Sequence, residues 1–255
     1  MLPAMPDELV DVWDKYYTSD EDTAIRDRPF FELEVETITA RVYEHVEAAE
    51  AASVRVLELG SGTGFLAERI VERLQPLGRE LHYDGVDFSA LGVERSNRRE
   101  LPQCDFHEAD FLTFVGAAEE GYDLIITQRS IMALLESEPQ TRLLEGIRDL
   151  LKPGAVGLLS EGSIQGLDRL NELRAGLGVD RLEKVWHSRY LDERDIELVF
   201  GSVEVVHFAP LYWLLTRVVY PYFEEPVHNT PLHEFAATLP QAGDFSPVRL
   251  FAVRA

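Results

Sequence analysis

The sequence predicts an α/β protein, a largely parallel sheet with helices packed on both faces. Three observations predict it. Strand-length apolar runs alternate with segments of helical period from about Glu36 onward; a glycine-rich loop joins the first run to a helix; and 255 residues, 45% of them hydrophobic, suffice for one large core.

Glu36 to Glu50 reads as a helix, with Ile38, Val42, His45 and Val46 at helical spacing. Val54 to Leu59 is a short apolar run that ends in glycines, hence a buried strand. Gly64 to Leu74 returns to helical period through Leu66, Ile70 and Leu74. A strand near Leu81 to Val86, a helix near Ala90 to Arg99 and a short strand at Asp105 to His107 follow. Tyr122 to Thr127 is the clearest buried strand, and Pro139 to Leu151 the next helix. Lys152-Pro153-Gly154 reads as a turn, since proline presets φ and glycine turns the corner, and it leads into a strand at Ala155 to Ser160. Helices at Asp168 to Leu177 and Asp192 to Phe200, and strands at Val203 to Phe208 and Val248 to Val253, complete the pattern. Residues 1–35 read as an N-terminal cap segment to a domain spanning 36–255. Within that domain the irregular, aromatic stretch 209–245 reads as a substrate-side insertion or lid.

Charge narrows the partners. Asp and Glu number 46 against 24 Lys plus Arg, a formal net charge of -22. Such a surface repels nucleic-acid phosphates and anionic membranes, which need clustered cations. The acid excess with only three lysines, Lys15, Lys152 and Lys184, suits a salt-rich cytoplasm, and equally an acidic protein that uses Arg for Lys. Cys104 is the one cysteine, so no intrachain disulfide and no cysteine-based metal site is available, and no other metal cluster is read. The start, MLPAMPDELVDVWDK, lacks the pattern of a signal peptide, and Phe208 to Phe223 is too short and too interrupted to span a bilayer. The protein reads as cytoplasmic.

The most informative residues are VLELGSGTGF, positions 56–65, with glycines at 60, 62 and 64 between strand and helix. Such glycines allow a tight turn and close approach of backbone to a ligand at a helix N-terminus. A dinucleotide fingerprint needs its third glycine at position 65, where Phe65 stands, and a P-loop needs a following lysine, which is missing.

This loop, with Glu58 two residues before its first glycine, resembles the first motif of the class I S-adenosylmethionine-dependent methyltransferases, and the following motifs match in order. The resemblance implies a Rossmann-like class I methyltransferase fold, a seven-stranded, mostly parallel sheet with helices on both faces. It implies a cofactor site for S-adenosylmethionine, and for the product S-adenosylhomocysteine, built from Glu58, Gly60, Ser61, Gly62, Gly64, Asp87, Phe88, Asp110, Phe111 and Gln128. Asp87 ends the second strand, where a carboxylate can accept from both ribose hydroxyls; an N-cap role is the alternative, for which Ser89 competes. Asp110, in HEADF, would accept from the adenine amino group, with Phe88 or Phe111 against the ring, and Gln128 would line the methyl-donor site. LLKPGAVGLLSEG at 150–162 matches the turn into the family's fifth strand. A further likeness, in LNELRAGLG and WHSRYLDE, is to small-molecule methyltransferases. Nicotinamide-dependent oxidoreduction and cofactor binding without catalysis are the competing readings.

The acceptor is then a small molecule, methylated at oxygen. Trp13, Tyr16, Tyr17 and the aromatic residues of 211–233 suit either a pocket wall or a packed edge, including a homodimer contact. Among the histidines, His82 and His107 on strands, His45 and His207 read as core residues. His187, in the irregular WHSRY segment, is the candidate base, with His228 and His233 as alternatives.

Overall fold

The computed structural model describes residues 7–18, 26–49, 52–118, 121–225 and 227–255. Its strands are β1 (Ser53–Leu59), β2 (Glu80–Asp87), β3 (Cys104–Glu108), β4 (Tyr122–Gln128), β5 (Leu151–Gly162), β6 (Val203–Val206) and β7 (Val248–Val253). They form one seven-stranded sheet in the order β3-β2-β1-β4-β5-β7-β6. β1 to β5 run parallel, and β7 is antiparallel to both β5 and β6. The order reverses direction between β1 and β4. In open sheets of this kind, the crevice at the carboxyl ends of the two strands that part company is where ligands bind.

The helices are α1 (Asp7–Tyr17), α2 (Arg28–Ala48), α3 (Phe65–Leu74), α4 (Ala90–Asn97), α5 (Phe111–Ala117), α6 (Ser137–Leu150), α7 (Ile164–Gly176), α8 (Glu193–Phe200), α9 (Pro210–Trp213), α10 (Tyr220–Phe223) and α11 (Pro231–Thr238). Alternation along the strands splits the core in two. Val54, Val56, Leu124, Ile126, Val156 and Leu158 pack with Ile38 and Val42 of α2 and Ile70 of α3. Leu57, Leu59, Ile125 and Leu159 pack with Val115 of α5, Leu143 and Ile147 of α6 and Ile196 of α8. Among the described residues, no helix is long and apolar enough to cross a membrane.

Three readings of the sequence are corrected here. The first long helix begins at Arg28 rather than Glu36 and runs unbroken past residue 35. Asp27 caps it by accepting from the Phe30 amide, and Pro29 is tolerated because a first-turn residue needs no N–H partner. The Lys152-Pro153-Gly154 turn does not precede the fifth strand but lies within it. Pairing jumps from Tyr122↔Leu151 to Leu124↔Val156, so the turn is extruded as a bulge, with Gly154 at φ 84°. Lys152 Nζ pins it to Asp123 at 2.9 Å.

The third correction concerns 209–245, which is mostly helical. α9, a π-wound segment at Leu214–Val219 and α10 follow one another without a break, and α11 comes after a short loop. Pro221 has no N–H to offer the Arg217 carbonyl. The guanidinium of Arg174, from α7, donates to that carbonyl instead.

Candidate active site

The glycine loop sits at the carboxyl end of β1. Gly60 has φ 88°, and a Cβ there would lie 2.4 Å from the Ser130 Cβ, so no other residue fits. The Gly60 and Ser61 amides donate to the Val86 carbonyl at 2.7 and 3.1 Å, which ties the loop to the end of β2. Asp87, the last residue of β2, is buried and braces the loop from below: Oδ2 accepts from the Gly62 amide at 2.8 Å and Oδ1 from the Ser89 amide at 2.9 Å. Burial pushes the Asp87 carboxyl up to about 6, against the opposing pull of those amides. Ser89, not Asp87, caps α4, accepting from the Gly92 amide at 3.1 Å. Glu58 is also buried, takes a hydrogen bond from the Tyr83 hydroxyl at 2.7 Å, and is pushed by burial up to about 8.

α1 lies against this end. The Tyr17 carbonyl accepts from Arg95 at 2.8 Å, Ser89 Oγ donates to Asp14, and the Tyr17 hydroxyl stands 3.1 Å from where a Gly62 Cβ would be.

 Burial, followed by the carboxylates of Asp87, Glu58 and Asp14, pushes that hydroxyl well above its ordinary value.

One cavity of about 540 Å³ opens over the loop, within the range of small-molecule sites. Of the residues the sequence singled out, Glu58, Gly60, Ser61, Gly62, Asp87, Phe88, Phe111, Gln128 and His187 line it. Phe88 and Phe111 meet edge to face at 6.0 Å. Gly64 and Asp110 are not in the lining. Gly64 packs on Ser96 at the start of α3, and Asp110 caps α5, its Oδ1 accepting from the Thr113 amide at 2.9 Å. His82 and His107, read as core histidines, are half exposed beside Glu80 and Asp84, because they lie on the solvent side of β2 and β3.

His187 is positioned by the chain around it. The Arg189 amide donates to the Met132 carbonyl at 2.8 Å, and the His187 ring stands edge-on to Trp13 and Trp186 at 5.9 and 5.4 Å. Its Nδ1 is buried without a partner, and burial lowers its pKa.

Other residues of the site were missed by the sequence reading. Glu34 of α2 is fully buried and accepts from Ser160 Oγ at 2.5 Å, Gln128 Nε2 at 3.0 Å and Arg129 Nη2 at 2.5 Å. Its signal was a carboxylate on the apolar face shared by Phe30, Phe31 and Ile38. Glu161, at the end of β5, accepts from the amides of Ser130, Ile131 and Met132 at 3.0–3.2 Å and so shapes the turn after β4. Arg217 of the π-wound segment pairs with Asp27 and donates to His228 Nδ1 at 3.0 Å and His233 Nε2 at 3.1 Å. Asp27, His228 and His233 bring possible ligand atoms within 4.8 Å of one another, and the cation among them is the Arg217 guanidinium.

That guanidinium has only donors, so the ring nitrogens it meets carry no proton. His233 therefore holds its proton on Nδ1, next to Thr230 Oγ1 at 2.8 Å, and both its nitrogens are engaged. His228 holds its proton on Nε2. Neither ring offers a free basic nitrogen to the cavity.

Comparison with known proteins points to methyl transfer for the central part of the chain. Residues 57–156 match the family model of a methyltransferase domain. A stretch of 88 residues is 34% identical to malonyl-[acyl-carrier protein] O-methyltransferase of Bacillus cereus, covering 34% of this chain and 30% of that protein. In architecture the chain is similar to the N-methyltransferase NodS of Bradyrhizobium japonicum, crystallised with S-adenosylhomocysteine (TM-score 0.61, 14% identity, 96% of each chain). It is similar also to the magnesium protoporphyrin IX methyltransferase of Synechocystis, crystallised with the same compound (TM-score 0.56, 17% identity, 96% and 94% of the two chains). Residues 57–156 thus match a methyltransferase domain, and the sheet around them has the Rossmann-like fold of methyltransferase structures. The matched residues 57–156 carry the glycine loop, Asp87 and Gln128, while Glu34, His187 and Arg217 lie outside them. The domain match and Phe65 both speak against the nicotinamide reading. The loop also fits the family's cofactor chemically: Ser61 Oγ is buried there with no protein partner, beside a carboxylate, Asp87, that retains lone pairs after its two amide contacts.

Proposed function

We propose that this protein transfers the methyl group of S-adenosylmethionine to oxygen of a small-molecule acceptor. The observation that carries the reading is that one cavity contains both the braced glycine loop and a separate wall of aromatic and ionisable side chains. Asp87 would accept hydrogen bonds from the ribose hydroxyls, Phe88 and Phe111 would lie against the base, and Glu58, Gly60, Ser61, Gly62 and Gln128 would hold the rest of the cofactor. Asp110 caps α5 through Oδ1 and lies outside the cavity lining, which leaves Oδ2 as the proposed acceptor for the adenine amino group.

When bound, the sulfonium cofactor supplies a methyl group that is already activated. The protein's share is alignment and exclusion of water, and holding two reactants in near-attack geometry contributes roughly 7–11 kcal/mol. His187 takes the proton of the acceptor hydroxyl. Burial keeps its ring neutral near pH 7, and the residue lines the cavity that would receive the acceptor. Residues 1–35 and 209–245 act as the cap and lid of the acceptor side, and the single cysteine and acid excess suit a cytoplasmic enzyme.

Calorimetry with S-adenosylmethionine and S-adenosylhomocysteine tests the first half of the reading, and the expected result is one site shared by both. The absence of heat at millimolar ligand overturns it. Release of S-adenosylhomocysteine across a panel of hydroxyl-bearing acceptors tests the second half; binding without release for any acceptor would leave a binding protein in place of an enzyme.

A further inference from the structure

The wall formed by Arg26, Trp213, Arg217 and His228 lines the same cavity as the glycine loop, and its hydrogen-bonding inventory is one-sided. Asp27, the carboxylate within it, is engaged on both oxygens by the Phe30 amide, the Tyr212 hydroxyl and Arg217. The remaining groups are donors. His228, half exposed, carries its proton on Nε2 because Arg217 occupies Nδ1. Trp213 Nε1 and Arg129 Nε are buried in the lining without an acceptor among the described residues.

Charge points the same way. Burial, and after it Arg217, lowers the pKa of both His228 and His233, so both rings are neutral near pH 7. Among the described residues, Arg26 and Arg217 against Asp27 then leave one net positive charge at this wall, in a chain whose formal net charge is -22. The other carboxylates of the lining among the described residues are Glu58 and Asp87 at the glycine loop, and the exposed Glu183. Beside the charged groups, the Trp213 ring lies under Arg217 at 5.4 Å and meets Phe30 edge-on at 5.2 Å, a flat apolar surface.

We infer that the acceptor carries a carboxylate on an apolar body, and that the carboxylate seats on His228 Nε2–H and Arg26 with the body against Trp213 and Phe30. One positive charge and a few separate donors match a monoanion, whereas a phosphate dianion would leave charge unbalanced. The inference rests on the proposed methyl transfer only in that the acceptor shares the cavity with the cofactor.

The test uses the full chain saturated with S-adenosylhomocysteine, and the probes 3-phenylpropionate and its neutral amide, followed by ligand-observed NMR titration. The acid should bind about ten-fold or more tightly than the amide, the worth of a charge-assisted hydrogen bond, and 1 M KCl should shrink that preference. His228→Ala and Arg26→Ala should each remove most of the preference by weakening acid binding much more than amide binding, and His228→Gln, which keeps a side-chain N–H, should restore part of it. Equal binding of acid and amide overturns the inference, as does a preference that both alanine variants leave intact, or tighter binding of inorganic phosphate than of the acid. Failure to bind S-adenosylhomocysteine is a separate result that counts against the methyl-transfer reading, because the acid–amide comparison can be run without it.

Discussion

At the glycine loop, the contact that sets the site joins the Gly62 amide to Asp87, 25 residues away; at the acceptor wall it joins Arg217 to Asp27, 190 residues away. The first end is built from backbone amides and strand termini that follow one another in the chain. The second is built from side chains that α2 and the 209–245 helices bring together only once the sheet has formed. Backbone geometry is reproducible across sequences that fold alike, whereas a wall of side chains can be rebuilt one residue at a time. A cofactor site and an acceptor site with these separate origins should respond differently to mutation.

The largest effect should come from the residue that supports both ends. Glu161→Ala strips three buried amides of their acceptor, at about 1–3 kcal/mol for each donor left unsatisfied. Chemical denaturation should show a loss of at least ~3 kcal/mol; an unchanged midpoint would mean that the turn at Ile131–Ala133 holds itself. Asp87→Ala acts at the loop end alone. It should weaken S-adenosylhomocysteine binding by about 2–4 kcal/mol with the fold retained, measured by calorimetry beside a melting curve. A much lower melting point with unchanged affinity would make Asp87 a brace and nothing more.

His187→Ala acts at the other end. The methylation rate should fall about 10²-fold with S-adenosylhomocysteine affinity intact. The base works unprotonated and burial lowers its pKa, so the wild-type rate should climb with pH and level off below pH 6.5, and the variant should lose that limb. Unchanged turnover excludes His187, and the engagement of both His233 nitrogens and of His228 Nδ1 leaves neither as a ready substitute. The smallest effect belongs to neither end. With a formal net charge of -22, the melting temperature should rise by a few degrees in molar KCl as screening quietens self-repulsion, and a flat or falling curve would remove the salt-adapted reading.

The same division explains what could be read from the sequence. The strands, the loop and Asp87 were legible because each is signalled by neighbours in the chain: an apolar run, its glycines, a carboxylate at a strand end. The start of α2 is hidden although Asp27 and Pro29 announce it, because Leu33-Glu34-Val35-Glu36 alternates at strand period and the helical period is clean only beyond it. Glu34 stood out only as a charge on an apolar face, and its partners Gln128, Arg129 and Ser160 lie 94, 95 and 126 residues away. Arg217 was visible merely as an interruption of an apolar run. Nothing local shows that its guanidinium sets the protonation of two histidines.

The placement of β7 between β5 and β6 has a consequence for how the chain is made. β7 is the last strand in chain order, yet β6 joins the sheet only through it. During synthesis, β1 to β5 can pair and cover their faces while β5 still presents an open edge, with Leu158 and Leu159 on its two sides. That edge is a template for any other strand until Val248–Val253 arrives to close it. A nascent or truncated chain should therefore be prone to pair with its neighbours, and the arrival of the antiparallel β7, rather than the folding of the glycine loop, closes that edge.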